Sequence, residues 1–571
     1  NIQRGTVQLI GSAGSHLSTS TSVVLGNGTN NGTLILGDST GAVNQTIAGL
    51  SVSGTGTNNT VIGGNASTAS VLTLAPSGAD NYTGFIGLGG PNNTTVAQNN
   101  LKVNMAGTGT LTLSGNNTYT GGTLISSGTL AITSNTSLGV NSNNTATGVT
   151  IGNGATAATL ESTANITTSR WITLSGSSAS VMTDANTTLT LGANSSITGN
   201  STSALNKSGN GTLVLNGTTG NYTYAGATNV NAGTLQINVD NLVPSTSAVT
   251  VAANATFNLN NQNETIASLA GAGNVSLANS SNLTTGGGNT STTFSGNLSG
   301  NGNLTFNGTG TFTLAGTDTF TGTTNISAGT LSLNSTLALE FSTLNYNVGN
   351  GNLAFGNVTS ATIGNLSSFT STTITLTNAS SAAVALSIGG NDSMFGSDSG
   401  NFAGLGSLLK IGNGQLTVSG NNTMAGGVTV NAGTLILTGV NTYSGITSIA
   451  SGGTFNLGDG GFYSSQPSVT TNISNNGTFN LYQSTGGATT FANTISGSGN
   501  TNIEGSGYNA YSSGSHAPQD IPGPSITNTG SSVSLTAKNT KAGTTSFGTA
   551  SSGLAGLVNG TLNGNVNVGF S

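Results

Sequence analysis

Five segments of the chain repeat one pattern, and its short period constrains the fold more than any other feature. The first runs Gly109-Thr-Leu-Thr-Leu-Ser-Gly115-Asn-Asn-Thr-Tyr119-Thr-Gly121, followed by Gly128-Thr-Leu130-Ala-Ile132. The others place Leu213, Leu215, Tyr224, Gly233 and Leu235, then Phe312, Leu314, Phe320, Gly329 and Leu331, at matching offsets. Leu416, Val418, Met424, Gly433 and Leu435 follow, and the last segment reuses Leu435 and Leu437 before Tyr443, Gly453 and Phe455. Leu111 to Leu130, Phe312 to Leu331 and Leu416 to Leu435 are each 19 residues apart. A period this short holds two or three strands, which cannot bury an apolar face alone and must stack on copies of themselves.

Each unit opens with strict alternation, as in Thr110-Leu111-Thr112-Leu113, so apolar side chains share one strand face and hydroxyls the other. Gly and Asn at fixed offsets supply the positive φ that turns the chain between strands. The reading is an all-β chain: a right-handed parallel β-helix, or β-solenoid, of about 20-residue coils with a C-terminal strand-rich tail. Residues 1–511 would form about 25 such coils, some degenerate, at that period. Residues 512–525, with His516, Pro518, Pro522 and Pro524, read as a linker. Residues 526–571 read as the tail, a cap or a strand donated to a neighbouring copy.

Composition excludes other classes. The chain has 7 basic and 13 acidic residues among 571, and 90 glycines, so it lacks the charged surface of ordinary helical or α/β enzymes. Disorder is excluded by a hydrophobic fraction of 34% that is periodic. No basic cluster marks a nucleic-acid binder, and no run approaches the 18 apolar residues of a transmembrane helix. The absence of Cys removes the disulfide-rich secreted class. A chain beginning with Asn1 rather than Met leads us to expect export after removal of an N-terminal signal.

The pattern Gly-Thr-Leu-Thr-Leu-Ser-Gly-Asn-Asn-Thr-Tyr-Thr-Gly, closed by Gly-Thr-Leu, resembles the passenger-associated transport repeat, or autotransporter-associated β-strand repeat, of bacterial surface and secreted proteins. A second part of that pattern is Ile266-Ala-Ser-Leu269-Ala-Gly271-Ala-Gly273 followed by Gly286 to Gly302. The resemblance covers about 101–134, 205–238, 264–334 and 409–457 and implies an extracellular or cell-surface protein. It does not choose a task, because such passengers include adhesins, enzymes and matrix proteins. Proteins of this kind often end in a membrane β-barrel, whereas Asn559 to Ser571 hold one or two strand-like runs, so the expectation is that a barrel was cleaved or never present.

Searched for chemistry, the sequence yields no catalytic, cofactor-binding or metal-ligating residue, and no cofactor is expected. Glu161 with Asp184, Asp240 with Glu264, and Asp318 with Glu340 are about one coil apart, the spacing of stacked acid and base in glycoside cleavage. Scattered acids produce such spacings by chance, and Asp318 occupies an Asn/Thr turn position of the repeat. Arg170-Trp171 offers a sugar-stacking pair, but Trp171 is expected to fill the core of a degenerate coil. His16 and His516 lack partners for a transition metal. Asp392 to Asp398 and Asp459 offer oxygen ligands without matching a calcium loop. Numerous Asn-x-Ser/Thr sites are better read as stacked Asn and Thr ladders than as glycan acceptors.

The leading expectation is a non-enzymatic, secreted structural subunit of an extracellular filament, sheath or surface layer. Its partners would be copies of itself joined head to tail through open β edges and strand pairing, with surface glycans or other matrix components beside them. The alternative is an adhesin-type autotransporter passenger holding a surface or host ligand; a polysaccharide-active β-helix enzyme comes third.

Overall fold

In a computed structural model of the chain, Leu111 lies directly opposite Leu130, Leu130 opposite Leu160, and Leu160 opposite Val181, every pair between parallel strands. None of the four is more than 3% exposed. The alternation that puts Leu at every second position of Thr110–Leu113 thus becomes a vertical column once coils stack. The described residues are 1–11, 16–88, 96–140, 148–278, 280–345, 351–368, 372–459, 467–483, 495–506, 533–538 and 566–569. The linker expected at 512–525 lies outside them.

The chain divides into two units, Asn1–Asn289 and Thr290–Ser571. Three parallel sheets wall most of the first unit. One runs from Gln45–Ile47 through Ser70–Leu74, Leu101–Met105, Thr123–Ile125, Val149–Ile151 and Trp171–Leu174 to Ser196–Thr198. A second carries the Leu111 column. The third stacks Leu189, Leu213, Leu235, Phe257 and Val275, none more than 1% exposed. At the N-terminal side, Gly5–Leu9, Gly32–Leu36, Thr60–Gly63 and Phe85–Ile86 form a further parallel sheet.

The second unit repeats the plan. Phe312, Leu331 and Leu353 form one column, and Leu416, Leu435, Phe455 and Phe479 another. The rings of Phe455 and Phe479 stack with centroids 5.6 Å apart, the geometry that in-register parallel strands impose on identical neighbours. The tail strands Val533–Lys538 and Val566–Gly569 continue the sheet, each parallel to the strand before it.

The parallel β-solenoid read from the sequence is the fold, but its period is uneven. Thr311 and Thr330 are 19 residues apart. Thr33 and Thr60 are 27 apart, and Ser70 and Leu101 are 31 apart. The described residues make about 18 turns, fewer than the 25 expected from a uniform twenty-residue coil. Length is added at the corners, as where the short helix Val96–Asn99 precedes Leu101–Met105, and the strands keep their register. One corner is fixed by glycine: Gly128, Gly233, Gly329 and Gly433 occupy the same repeat position with φ of 69°, 62°, 63° and 64°. A side chain there is strained, and a Cβ on Gly433 would lie 2.3 Å from the Gly414 carbonyl oxygen.

Candidate functional site

The interior is not purely apolar, and its polar groups follow the repeat. The hydroxyls of Tyr119 and Thr123, of Tyr224 and Thr228, and of Tyr443 and Thr447 are 2.7, 2.7 and 2.6 Å apart. Burial pushes the Tyr119 and Tyr443 phenols up to about 12, against a smaller opposing effect of these hydrogen bonds. Two residues before each aromatic position, Asn117 and Asn422 bind backbone across the coil: the Asn117 Oδ1 accepts the Ile86 N–H at 2.7 Å, and the Asn422 Oδ1 accepts that of Phe402 at 2.9 Å. Asn422 Nδ2 donates to Asn441 Oδ1 at 2.6 Å, extending the ladder.

Asp318 stands in this Asn position. Its Oδ1 accepts the Leu298 N–H at 2.7 Å, while Oδ2 is buried without a partner. Burial raises its pKa to about 7, so the carboxyl is held towards its neutral, Asn-like form. Glu340 lies on the outer face of Leu339–Asn345, and no hydrogen bond links it to Asp318 among the described residues. Neither of the other two acidic pairs is set out as a separated, exposed acid and base. Glu161 and Asp184 are in direct contact: burial, then a hydrogen bond and repulsion from Asp184, raise the pKa of Glu161. That is closer than the roughly 5 to 9.5 Å between carboxyls in glycosidases. Glu264 is 1% exposed, its pKa raised to about 8 chiefly by burial, with a smaller upward push from Asp240. Asp240 faces outward, where its carboxylate accepts from Asn263 at 2.8 and 3.3 Å.

Two lysines sit inside the coils. The Lys207 Nζ donates to the carbonyls of Ser208, Gly209 and Ala232 at 2.8, 2.8 and 3.1 Å. Lys410 donates to the carbonyls of Ile411, Gly412 and Ala432. Both follow the pattern Lys-x-Gly-Asn-Gly six residues before the strand leucines Leu213 and Leu416; Met105 and Phe306 hold the same place in other repeats. The recurring Lys was the available signal, and its charge argued for the surface. Burial lowers both ammonium groups to about 8.

Arg170 and Trp171 correct the expectation placed on them. Arg170 is the inward residue, 1% exposed, and its guanidinium donates to the carbonyls of Asn135, Gly139 and Val140 and to Asn135 Oδ1. Trp171 lies on the outer face, half-buried, because Ile172 and Leu174 take the inward positions of its strand. A small apolar void beside Arg170, about 10 Å³, is water-sized and no ligand pocket. Asp392 Oδ1 accepts the Asn413 N–H at 2.7 Å and so serves a turn; the side chain of Asp398 and all of His516 lie outside the described residues. Among the described residues, no three of His, Cys, Asp or Glu gather as a metal site, and no helix is long and apolar enough to cross a membrane.

What the coils present outward is amide and hydroxyl. Asp240, Asn263 and Asn282 form one ladder across successive coils. Asn238 with Asn260, Asn325 with Asn345, and Asn456 with Asn480 are joined by side-chain amide bonds of 2.8, 3.0 and 2.8 Å. Of these asparagines, Asn263, Asn282 and Asn325 open Asn-x-Ser/Thr stretches, and their side-chain amides are engaged within the coil stack.

Such a surface on a stacked-coil scaffold defines a β-solenoid repeat protein. Its repeats match the passenger-associated-transport-repeat at residues 103–132, 205–237, 299–333, 408–436 and 431–457. The chain is 40% identical over 97 residues to the adhesin BmaC autotransporter of Brucella suis biovar 1 (strain 1330), a stretch that is 17% of this chain and 3% of that relative. The chain thus spans a small fraction of the relative's length. No solved structure matches it.

Proposed function

We propose that this chain is part of the surface-exposed passenger of an autotransporter adhesin, carried outside the cell and holding a ligand along its coil walls. The observation that carries this is the similarity to an adhesin autotransporter, supported by five transport repeats in a fold with no catalytic cleft among the described residues. The adhesin reading, the alternative from the sequence, has better support than the filament or sheath subunit placed first there, which rests on the geometry of solenoid ends alone.

Beads coated with the purified chain, washed over host cells or matrix-coated glass, test the proposal. Retention several-fold above beads coated with an unrelated protein is expected, and equal retention overturns it. Sedimentation addresses the filament reading: a chain that stays monomeric at high concentration removes head-to-tail assembly, and concentration-dependent polymers restore it.

A further inference from the structure

Trp171, the sole tryptophan of the chain, is held rigidly on an outer wall. The residue before it is anchored inside, since Arg170 makes four guanidinium hydrogen bonds and its own N–H donates to Thr168 Oγ1 at 3.2 Å. The indole N–H is spent on the Asn194 carbonyl of the next coil, at 3.2 Å. What the half-buried side chain has left to offer a ligand is its ring face, an apolar and polarisable surface.

The neighbouring outward side chains are hydroxyls in register. Thr150 lies opposite Thr173 on the coil before, and Thr198 opposite Thr173 on the coil after, with the Thr173 and Thr198 hydroxyls 3.3 Å apart. Ser196 lies directly opposite Trp171 but is only 3% exposed, and its hydroxyl donates to the Asn221 carbonyl at 2.8 Å, bracing the wall rather than meeting solvent. Parallel strands space this row at about 4.8 Å per coil. The three strands Val149–Ile151, Trp171–Leu174 and Ser196–Thr198 contain no charged residue.

We propose that this patch binds a neutral hexopyranose oligosaccharide, one ring stacking its C–H face on Trp171 while its hydroxyls exchange hydrogen bonds with Thr173 and Thr198. A pyranose has one apolar face and hydroxylated edges, the complement of an aromatic face bordered by a hydroxyl row. An anionic glycan finds no cation on these strands, because the one nearby guanidinium is buried and fully engaged. A protein partner needs roughly 800 Å² of surface on each side, far more than one indole and its row. The proposal supplies a ligand class for the surface reading above and rests on that reading only for its setting.

The single tryptophan makes the test direct. Emission of the intact chain is followed while chitohexaose, cellohexaose or a galactose-terminated oligosaccharide is added, with heparin as the anionic comparison, and affinities are confirmed by calorimetry. A saturable emission change with at least one neutral sugar is expected. Calorimetry should show binding weakened about tenfold or more in Trp171→Ala and less severely in Thr173→Val, an isosteric change that keeps the fluorophore. No emission change with any neutral sugar, binding of heparin alone, or unaltered affinity in a folded Trp171→Ala overturns the proposal. Beads coated with the unaltered chain that attach to cells while no neutral sugar changes its emission would reject this site and leave the adhesin reading intact.

Discussion

The hydroxyls of Tyr443 and Thr447 are 2.6 Å apart inside a coil, four residues from one another in sequence. The same spacing joins Tyr119 to Thr123 and Tyr224 to Thr228. Where the aromatic position becomes Met424, the fourth residue on becomes Val428, and both are fully buried. Phe320 keeps Thr324, and that hydroxyl turns instead to Ser342 Oγ at 2.7 Å. Each repeat therefore carries either both polar partners, none, or a replacement, as the cost of a buried unpaired hydroxyl requires.

That rule predicts non-additivity. Tyr443→Phe or Thr447→Val alone is expected to destabilise by about 1–3 kcal/mol by stranding the other hydroxyl. The double change, which imitates Met424 and Val428, should cost less than the sum of the singles. Denaturant unfolding of the four proteins measures the coupling, and strict additivity would refute the pairing.

Asp318 should make stability depend on pH. Its folded pKa, about 7, exceeds the usual carboxylate value, so its favourable contribution is fully present below that usual value and is lost as pH rises through about 7. Glu264 acts the same way up to about 8. Asp318→Asn restores the residue that the same position holds in Asn117 and Asn422, and is expected to add roughly 4 kcal/mol at pH 8 and almost nothing at pH 4. Melting temperatures at the two pH values test this, and an equal shift at both would sink it.

Lys207 should tolerate length and shape better than truncation. Both changes remove the ammonium from its three carbonyls; Lys207→Met fills the space as Met105 does and is expected to cost under about 1.5 kcal/mol, whereas Lys207→Ala adds a cavity and should cost about 2–4 kcal/mol. Because burial lowers the ammonium to about 8, the unfolded chain holds that proton more tightly, and stability rises between about pH 8 and the ordinary lysine value. Lys207→Met should lack this rise; thermal melts across that window decide.

Glycine substitutions separate conformation from composition. Gly433→Ala places a Cβ at φ 64° and 2.3 Å from a carbonyl oxygen, and is expected to cost 2 kcal/mol or more, roughly twice the usual helix-scale penalty for a bad glycine site. Gly287→Ala meets nothing within 4 Å and should be neutral or slightly stabilising. Similar melting curves for the two variants would contradict the turn assignment.

The columns were legible because their spacing equals their register: Leu416 and Leu435, 19 apart in sequence, are partners in the sheet. The long coils were not, since corner insertions such as the one before Leu101 carry no periodic signal. Trp171 shows a phase that could be read and was overridden by size. Ile172 and Leu174 set the inward positions, so the tryptophan one residue before Ile172 had to face out and the arginine in. Lys207 was hidden by the opposite prejudice, for Leu205-Asn-Lys207 alternates inward and only its charge argues otherwise. Three carbonyls from two turns satisfy that charge, and a sequence does not display them.

Val428–Leu437 pairs with Gln415–Val418 on one side and Thr447–Leu457 on the other, closing one motif while opening the next. Motif limits are thus bookkeeping and not seams, so a recombination event that lengthens or shortens the gene by one whole period leaves every remaining layer with a fitting neighbour. Copy number can drift among descendants while the cross-section stays the same, and reach becomes a quantity that evolution adjusts by counting.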